Sequence, residues 1–172
     1  MDIQQSFTGL TELALFAGAG GGILASKSLG IRTVCAVECE YYPASVLAQR
    51  QNTGDLEPFP IWSDIKSFDG KTWRGVDIVS GGFPCTDLSV AGKQAGITGE
   101  RSGLWFEMAR VITEAEPRFV LIENVPTLRK YLGHILHYLA SERYDAEWGC
   151  LSSKEVGGLH KRDRMWIVGR KA

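Results

Sequence analysis

The 172-residue sequence lacks any long hydrophobic run, and with it a segment of membrane-spanning length. Its first residues, MDIQQSFTGLTELALF, lack the basic stretch and small-residue cleavage site of a secretory signal, so no signal peptide is expected. Four cysteines, Cys35, Cys39, Cys85 and Cys150, form no CxxC pair and no dense framework. That excludes a disulfide-stapled fold and suits reduced thiols in a cytoplasmic chain. Internal repeats, low-complexity tracts and interdomain linkers are also absent. Charge of one sign is scarce: the net charge is −1, which disfavours gripping nucleic acid with the whole surface. The cations are unevenly spread, with six Lys or Arg against two acids from Lys154 to Ala172. That stretch could face phosphates or could be a solvated strand end. His134 and His137 stand three apart on a helical pattern with no third ligand at metal spacing, so they read as a surface pair and no metal is expected.

What is present is an ordinary globular composition, 44% hydrophobic and 23% charged, in a chain long enough to bury its own core as one domain. Short buried-strand patterns occur at Glu12–Phe16, Ile31–Glu38, Val76–Gly82 and Arg118–Asn124. Helical patterns lie between them, at 23–30, Tyr42–Asn52 and Ser102–Ala115. Leu128, Tyr131, Leu132, Ile135, Leu136 and Leu139 share a helical face, and two further strands are expected at 146–152 and 164–170. Alternating strands and helices predict a mostly parallel α/β sheet with right-handed crossovers. Ligands gather at the carboxyl ends of such strands. Gly18, Gly20, Gly21 and Gly22, then Glu38, Cys85 and Glu123, all fall at or just past a predicted strand end.

LFAGAGGG reads as a loop that lets a ligand approach the backbone at a helix N-terminus. The dinucleotide pattern GxGxxG is not met, because Ile23 holds the sixth position. Glu38, eighteen residues past Gly20, could hold two ribose hydroxyls. The plainer alternative is a tight turn and a solvated acid. Cys85 follows a proline, behind two glycines, in the polar stretch SGGFPCTDLSVAGKQAG. A thiolate there would be a strong nucleophile if its pKa were lowered. Glu123, in ENV, is a candidate proton donor or a helix-capping acid. Arg162 and Arg164, in HKRDR, would point to the same side of an extended segment and could clamp a carbonyl or a phosphate, or belong to a charged hairpin. Cys35 and Cys39 are expected to pack, and Cys150 to be a core residue.

In this order and spacing, these motifs resemble the cytosine-5 DNA methyltransferase family over about residues 10 to 171. LFAGAGG is similar to its cofactor loop, Val37–Glu38 to its ribose-binding acid and Ser63–Ile65 to its adenine-contacting Asp-Ile pair. GGFPCTDLS resembles its catalytic motif, ENV its glutamate motif and HKRDR its arginine motif. Three positions depart from the family pattern: Ala14 for an acid, Thr86 for Gln and His160 for Gln. The resemblance implies a Rossmann-like S-adenosylmethionine-dependent methyltransferase fold with helices on both faces and a C-terminal antiparallel strand pair. It implies cofactor contacts at Phe16, Gly18, Gly20, Gly21, Glu38, Asp64, Ile65, Pro84 and Leu104, with Phe16 near the adenine.

By the same resemblance, Cys85 adds to carbon 6 of a flipped cytosine, Glu123 protonates ring nitrogen 3, and Arg164, supported by Arg162, holds the carbonyl oxygen. Ser89, Lys93, Gln94 and Arg101 would close over the DNA. A cytoplasmic, bacterial or phage-encoded chain is implied. The family usually continues into a target-recognition domain and a final helix that walls the cofactor pocket. Residues 1–172 are therefore expected to form a single catalytic domain with both of those absent, so a second polypeptide carrying recognition is a candidate partner. Two rivals stand beside this reading. One is a truncated or split subunit that binds cofactor but is inactive alone. The other is a nicotinamide-dependent oxidoreductase, which would leave Cys85, Glu123 and the arginine pair without roles.

Overall fold

An extended Thr-Glu-Leu-Ala-Leu puts Leu13 and Leu15 on one side of the chain and Glu12 and Ala14 on the other. All four are buried, so β1 (Thr11–Leu15) is covered on both faces and forms the middle of the fold. The computed structural model describes residues 7–84 and 103–172. After β1 come α1 (Gly21–Ser28), β2 (Arg32–Val37), α2 (Tyr41–Asn52), β3 (Ile61–Trp62) and β4 (Ile78–Gly81). Then follow α3 (Gly103–Ala115), β5 (Phe119–Asn124), α4 (Leu132–Ser141), β6 (Tyr144–Ser152) and β7 (Asp163–Lys171). The sheet order is β3-β2-β1-β4-β5-β7-β6. The first five of these strands are parallel, while β7 runs antiparallel to both β5 and β6. This is the expected mostly parallel sheet with its C-terminal antiparallel pair; β3 carried too short a pattern to be read from sequence.

The larger core lies on the Leu13/Leu15 face, under α3 and α4. Trp105, Met108, Ala109 and Ile112 recur at helical spacing along α3, and all are buried. On the other face, Ile23 of α1 and Leu47 of α2 close over Ala14 and Ala36. That cover stops at β1. Among the described residues no helix lies over the same face of β4, β5 and β7. Ile78, Leu121, Trp166 and Ser80 line a cavity there instead, and Val168 stays 45% exposed.

The expected helix around Leu128–Leu139 is two elements, a 3-10 turn at Pro126–Tyr131 and then α4. Tyr131, at φ −114 and ψ 4, breaks the helical path between them. The apolar face survives the break: Leu128, Leu132, Ile135 and Leu139 are all buried. Cys150 departs from its expected core position and is exposed. It lies on β6, the sheet edge, which is buried at Tyr144 under α4 but exposed from Glu147 to Leu151. No helix among the described residues is long and apolar enough to cross a membrane.

Arg110 ties α3 to the segment that follows β3. Its guanidinium donates to the carbonyl oxygens of Ile65 at 2.7 Å and Phe68 at 2.9 Å, and pairs with Glu107 and Glu114. Removing it leaves two carbonyls and two acids without their shared cation. Arg110→Ala should therefore cost about 1–2 kcal/mol, allowing for its partial exposure. The readout is a lower urea midpoint at unchanged slope. An unchanged midpoint would mean that the network adds nothing to stability.

Candidate functional site

The parallel strands all end on one edge of the sheet, and the chemistry-bearing residues follow those ends. After Leu15 the chain turns through Phe16, whose φ of 52 is strained for an aromatic residue. Gly20 takes φ 85, and a Cβ there would stand 2.6 Å from Leu47 Cδ2, so the loop packs on α2 only because the residue is glycine. Helix α1 then starts at Gly21 with no side-chain cap, leaving its first N–H groups available to a polar or anionic ligand group.

Glu38, just past β2, is 8% exposed. Its Oε2 accepts from the Gly18 N–H at 2.7 Å, and its Oε1 from the Glu40 N–H at 2.8 Å. The carboxylate thus fixes the glycine loop, while each oxygen retains acceptor capacity for a ligand hydroxyl. Asp64 caps the following 3-10 turn by accepting from the Lys66 N–H at 2.9 Å. Ile65 is buried in the core above Arg110. Cys39 was expected to pack but is exposed, because β2 has already ended at Val37. Partial burial, then the charges of Glu38 and Glu40, push its thiol above the ordinary value. Burial raises the Cys35 thiol to about 11. Neither residue is poised as a thiolate nucleophile.

At the end of β5, Glu123 Oε1 lies 2.5 Å from Arg164 Nε. The register explains the contact: Glu123 faces Trp166 across the β5–β7 pair, and Arg164 is two residues away on the same face. A Cβ on Gly82 would stand 2.8 Å from Glu123 Oε2, so the chain leading into Pro84 runs directly against this carboxylate. The next residue, Asn124, is 4% exposed and donates to the Phe83 carbonyl at 3.0 Å, while its own Oδ1 accepts from Val125 N–H. Asn124 thereby ties the end of β5 to the segment entering Pro84. Arg162 precedes β7, is exposed, and makes no ion pair with a described residue; the structure does not bring it to Glu123 as it brings Arg164.

A cavity of about 440 Å³ runs from the turn after β1 and the start of α1 to Glu123; Glu38, Asp64 and Ile65 do not line it. Phe16 and Gly22 line one part, Gly81, Gly82 and Glu123 another, and Trp166 and Leu121 the β7 side. Its size suits a small-molecule ligand. Glu12 also lines it, 2% exposed, with Thr33 donating at 3.0 Å and Ser80 at 2.6 Å. Sequence reading noted the missing acid at Ala14 but passed over Glu12. The strand period of two was the available signal, since Glu12 shares a face with Ala14.

Pro84 is exposed at the rim, and Leu104 is half-buried against the core at the start of α3. Cys85, Ser89, Lys93, Gln94 and Arg101 lie outside the described residues. His134 and His137 are both exposed on α4, and no group of three or more His, Cys, Asp or Glu among the described residues could hold a metal ion.

Glu38→Ala should release the loop even without ligand. A hydrogen bond to a charged acceptor contributes about 1.5–3 kcal/mol, so amide exchange at Gly18 should quicken by about tenfold or more. Equal exchange in mutant and wild type would show that Glu38 does not hold the loop.

The family profile described as C-5 cytosine-specific DNA methylase matches residues 10–172. The type II methyltransferase M.NgoMIV of Neisseria gonorrhoeae is 33% identical over 166 residues, covering 94% of this chain and 52% of that protein. M.HhaI of Haemophilus parahaemolyticus is 31% identical, covering 95% and 50%. The chain thus spans about half the length of these relatives. Among solved structures, the Dnmt2 methyltransferase of S. pombe superposes with a TM-score of 0.76 at 21% identity, over 94% of this chain and 51% of that one. The Entamoeba histolytica methyltransferase EhMeth gives 0.79 at 16%, over 95% and 53%; at such identities these two likenesses concern the fold. With its motifs in family order and the profile spanning all but the first nine residues, the chain belongs to the C-5 cytosine-specific DNA methylase family.

Proposed function

We propose that this chain transfers a methyl group from S-adenosylmethionine to carbon 5 of cytosine in DNA, with Cys85 as nucleophile. The observation that carries the reading is the Glu123–Arg164 pair, set at a cavity whose other part is the glycine loop. The oxidoreductase alternative assigns the pair no role. The residues also fit the cofactor: α1 offers free N–H groups, Glu38 keeps acceptor capacity, and Phe16 presents an aromatic ring at the cavity.

When bound, S-adenosylmethionine supplies an electrophilic methyl group. The protein's work is to make carbon 5 of a weakly nucleophilic base reactive. The Cys85 thiolate forms a bond to carbon 6, and the electron pair of the C5–C6 double bond shifts into the ring. A proton passed through Glu123 to ring nitrogen 3 keeps negative charge from accumulating. Arg164 donates toward the exocyclic oxygen and holds Glu123 in place, and Arg162 supports it from the rim. Carbon 5, so activated, would take the methyl group as that group's bond to the cofactor's sulfur breaks; loss of the carbon 5 proton to water then expels the Cys85 thiolate and restores the aromatic ring. Nitrogen 3 returns its proton to Glu123. Because a stacked base cannot reach these groups, the cytosine must be extrahelical, and Ser89, Lys93, Gln94 and Arg101 would close over the DNA around it.

The reading has a second part. The net charge is −1 and the chain matches half of each relative, so residues 1–172 are taken as the catalytic domain. Reading of flanking base edges would fall to a target-recognition domain outside these residues, for which a second polypeptide is one candidate carrier. The setting that fits is the cytoplasm of a bacterium or of a phage-infected cell.

A duplex carrying 5-fluorocytosine should trap the chain covalently in the presence of S-adenosylmethionine, because fluorine cannot leave as a proton does. Cys85→Ala should form no adduct, and Glu123→Gln should form it about 10²–10⁴-fold more slowly. Adduct formation by Cys85→Ala would remove Cys85 from the mechanism.

Bisulfite sequencing tests the second part. Treated with this chain alone, DNA should show little methylation and no defined motif. Efficient methylation at one motif would make the recognition partner unnecessary.

A further inference from the structure

The hairpin loop between β6 and β7 holds apolar side chains in water. Leu159 is 103% exposed and Val156 75% exposed. The loop around them is firmly built. Ser152 N–H donates to Glu155 at 2.7 Å, Gly158 N–H to the Ser153 carbonyl at 2.7 Å, and Ser153 N–H to the Arg162 carbonyl at 3.0 Å. The Ser153 hydroxyl donates to the His160 carbonyl. These bonds hold the loop in a form that presents Leu159 outward.

Position gives that side chain a partner. Ser152 and Asp163 close the hairpin, and Arg164 beside them is the residue paired with Glu123. Leu159 therefore projects from the same edge of the sheet as the candidate active site. Its neighbours are Lys154, Lys161 and Arg162. Lys161 has only a 3.5 Å surface pair with Asp163, and Glu155 is engaged as a cap. An apolar tip with exposed cations on the same loop complements stacked bases flanked by phosphates.

We propose that the 153–162 loop is a wedge for duplex DNA: Leu159, backed by Val156, inserts against the base stack beside the extrahelical nucleotide, while Lys154 and Lys161 take phosphates. This rests on the reading of the chain as a DNA methyltransferase. It assigns a DNA contact to residues other than Ser89, Lys93, Gln94 and Arg101. Inserted apolar side chains lower the cost of unstacking a base step, which is a few kcal/mol.

Fluorescence anisotropy with two 20-base-pair duplexes tests it, one fully paired and one with a single mismatched cytosine. Wild type should bind the mismatched duplex about fivefold more tightly, because a weakened step admits the wedge more cheaply. Leu159→Ala should lose that preference while keeping its affinity for the paired duplex, and Leu159→Met should retain it. Lys154→Ala should weaken both duplexes equally and lower the salt slope by about 1. A preference undiminished in Leu159→Ala, or a wild type with no preference, overturns the wedge. The 5-fluorocytosine adduct keeps the two readings apart. An adduct formed equally well by Leu159→Ala, with the preference unchanged, sinks the wedge and spares the methyltransferase. Loss of the preference in Leu159→Ala from a chain that forms no adduct sustains the wedge and removes the chemistry.

Discussion

Strand β7 enters the sheet antiparallel, between β5 and β6, and the site depends on that one reversal. A parallel strand in the same slot would reach the active edge with its last residues. Running the other way, β7 reaches it with its first, and the arginine motif stands there. The register then sets Arg164 against Glu123 at 2.5 Å. Gly82 leaves room for the carboxylate, and Asn124 holds the Phe83 carbonyl. Three stretches far apart in sequence meet through one strand's direction.

The carboxylates of the structure serve first as struts. Glu38 receives two main-chain N–H groups and shapes the glycine loop. Glu12 is satisfied by Thr33 and Ser80, below the cavity. Asp77 accepts from Thr11 at 2.9 Å and pairs with Arg118. Burial opposes its ionisation, but those hydrogen bonds and the Arg118 charge outweigh it and hold its pKa below the ordinary value. A polar group buried without such partners would cost more than the fold could readily bear. Each acid therefore has a structural partner before any ligand is considered.

Much of the fold was legible because strand and helix periods differ. The short apolar run at Glu12–Phe16 read as a buried strand and Ser102–Ala115 as a helix, and the structure has β1 and α3 there. What escaped was local and short. The two-residue β3 has too few positions to show a period, and Tyr131 interrupts a helix whose apolar pattern runs straight through it. The cysteines misled for a related reason. Cys39 follows an apolar strand but stands between Glu38 and Glu40, past that strand's end, and Cys150 lies on an edge that α4 only partly covers.

By itself, the sequence determined which groups are available and where they fall along the chain: a glycine loop, an acid after the second strand, a proline-cysteine turn, ENV and two arginines. Those are matters of covalent order and side-chain chemistry. The tertiary structure alone decided which of them meet. Arg164 reaches Glu123 and Arg162 does not, because strand direction and register are settled by packing across the sheet, between residues distant in sequence. The same packing decided that Glu12 would line the cavity and that Leu159 would stand in solvent. A residue's pattern along the chain records its neighbours on one element, whereas its exposure depends on which other element arrives to cover it.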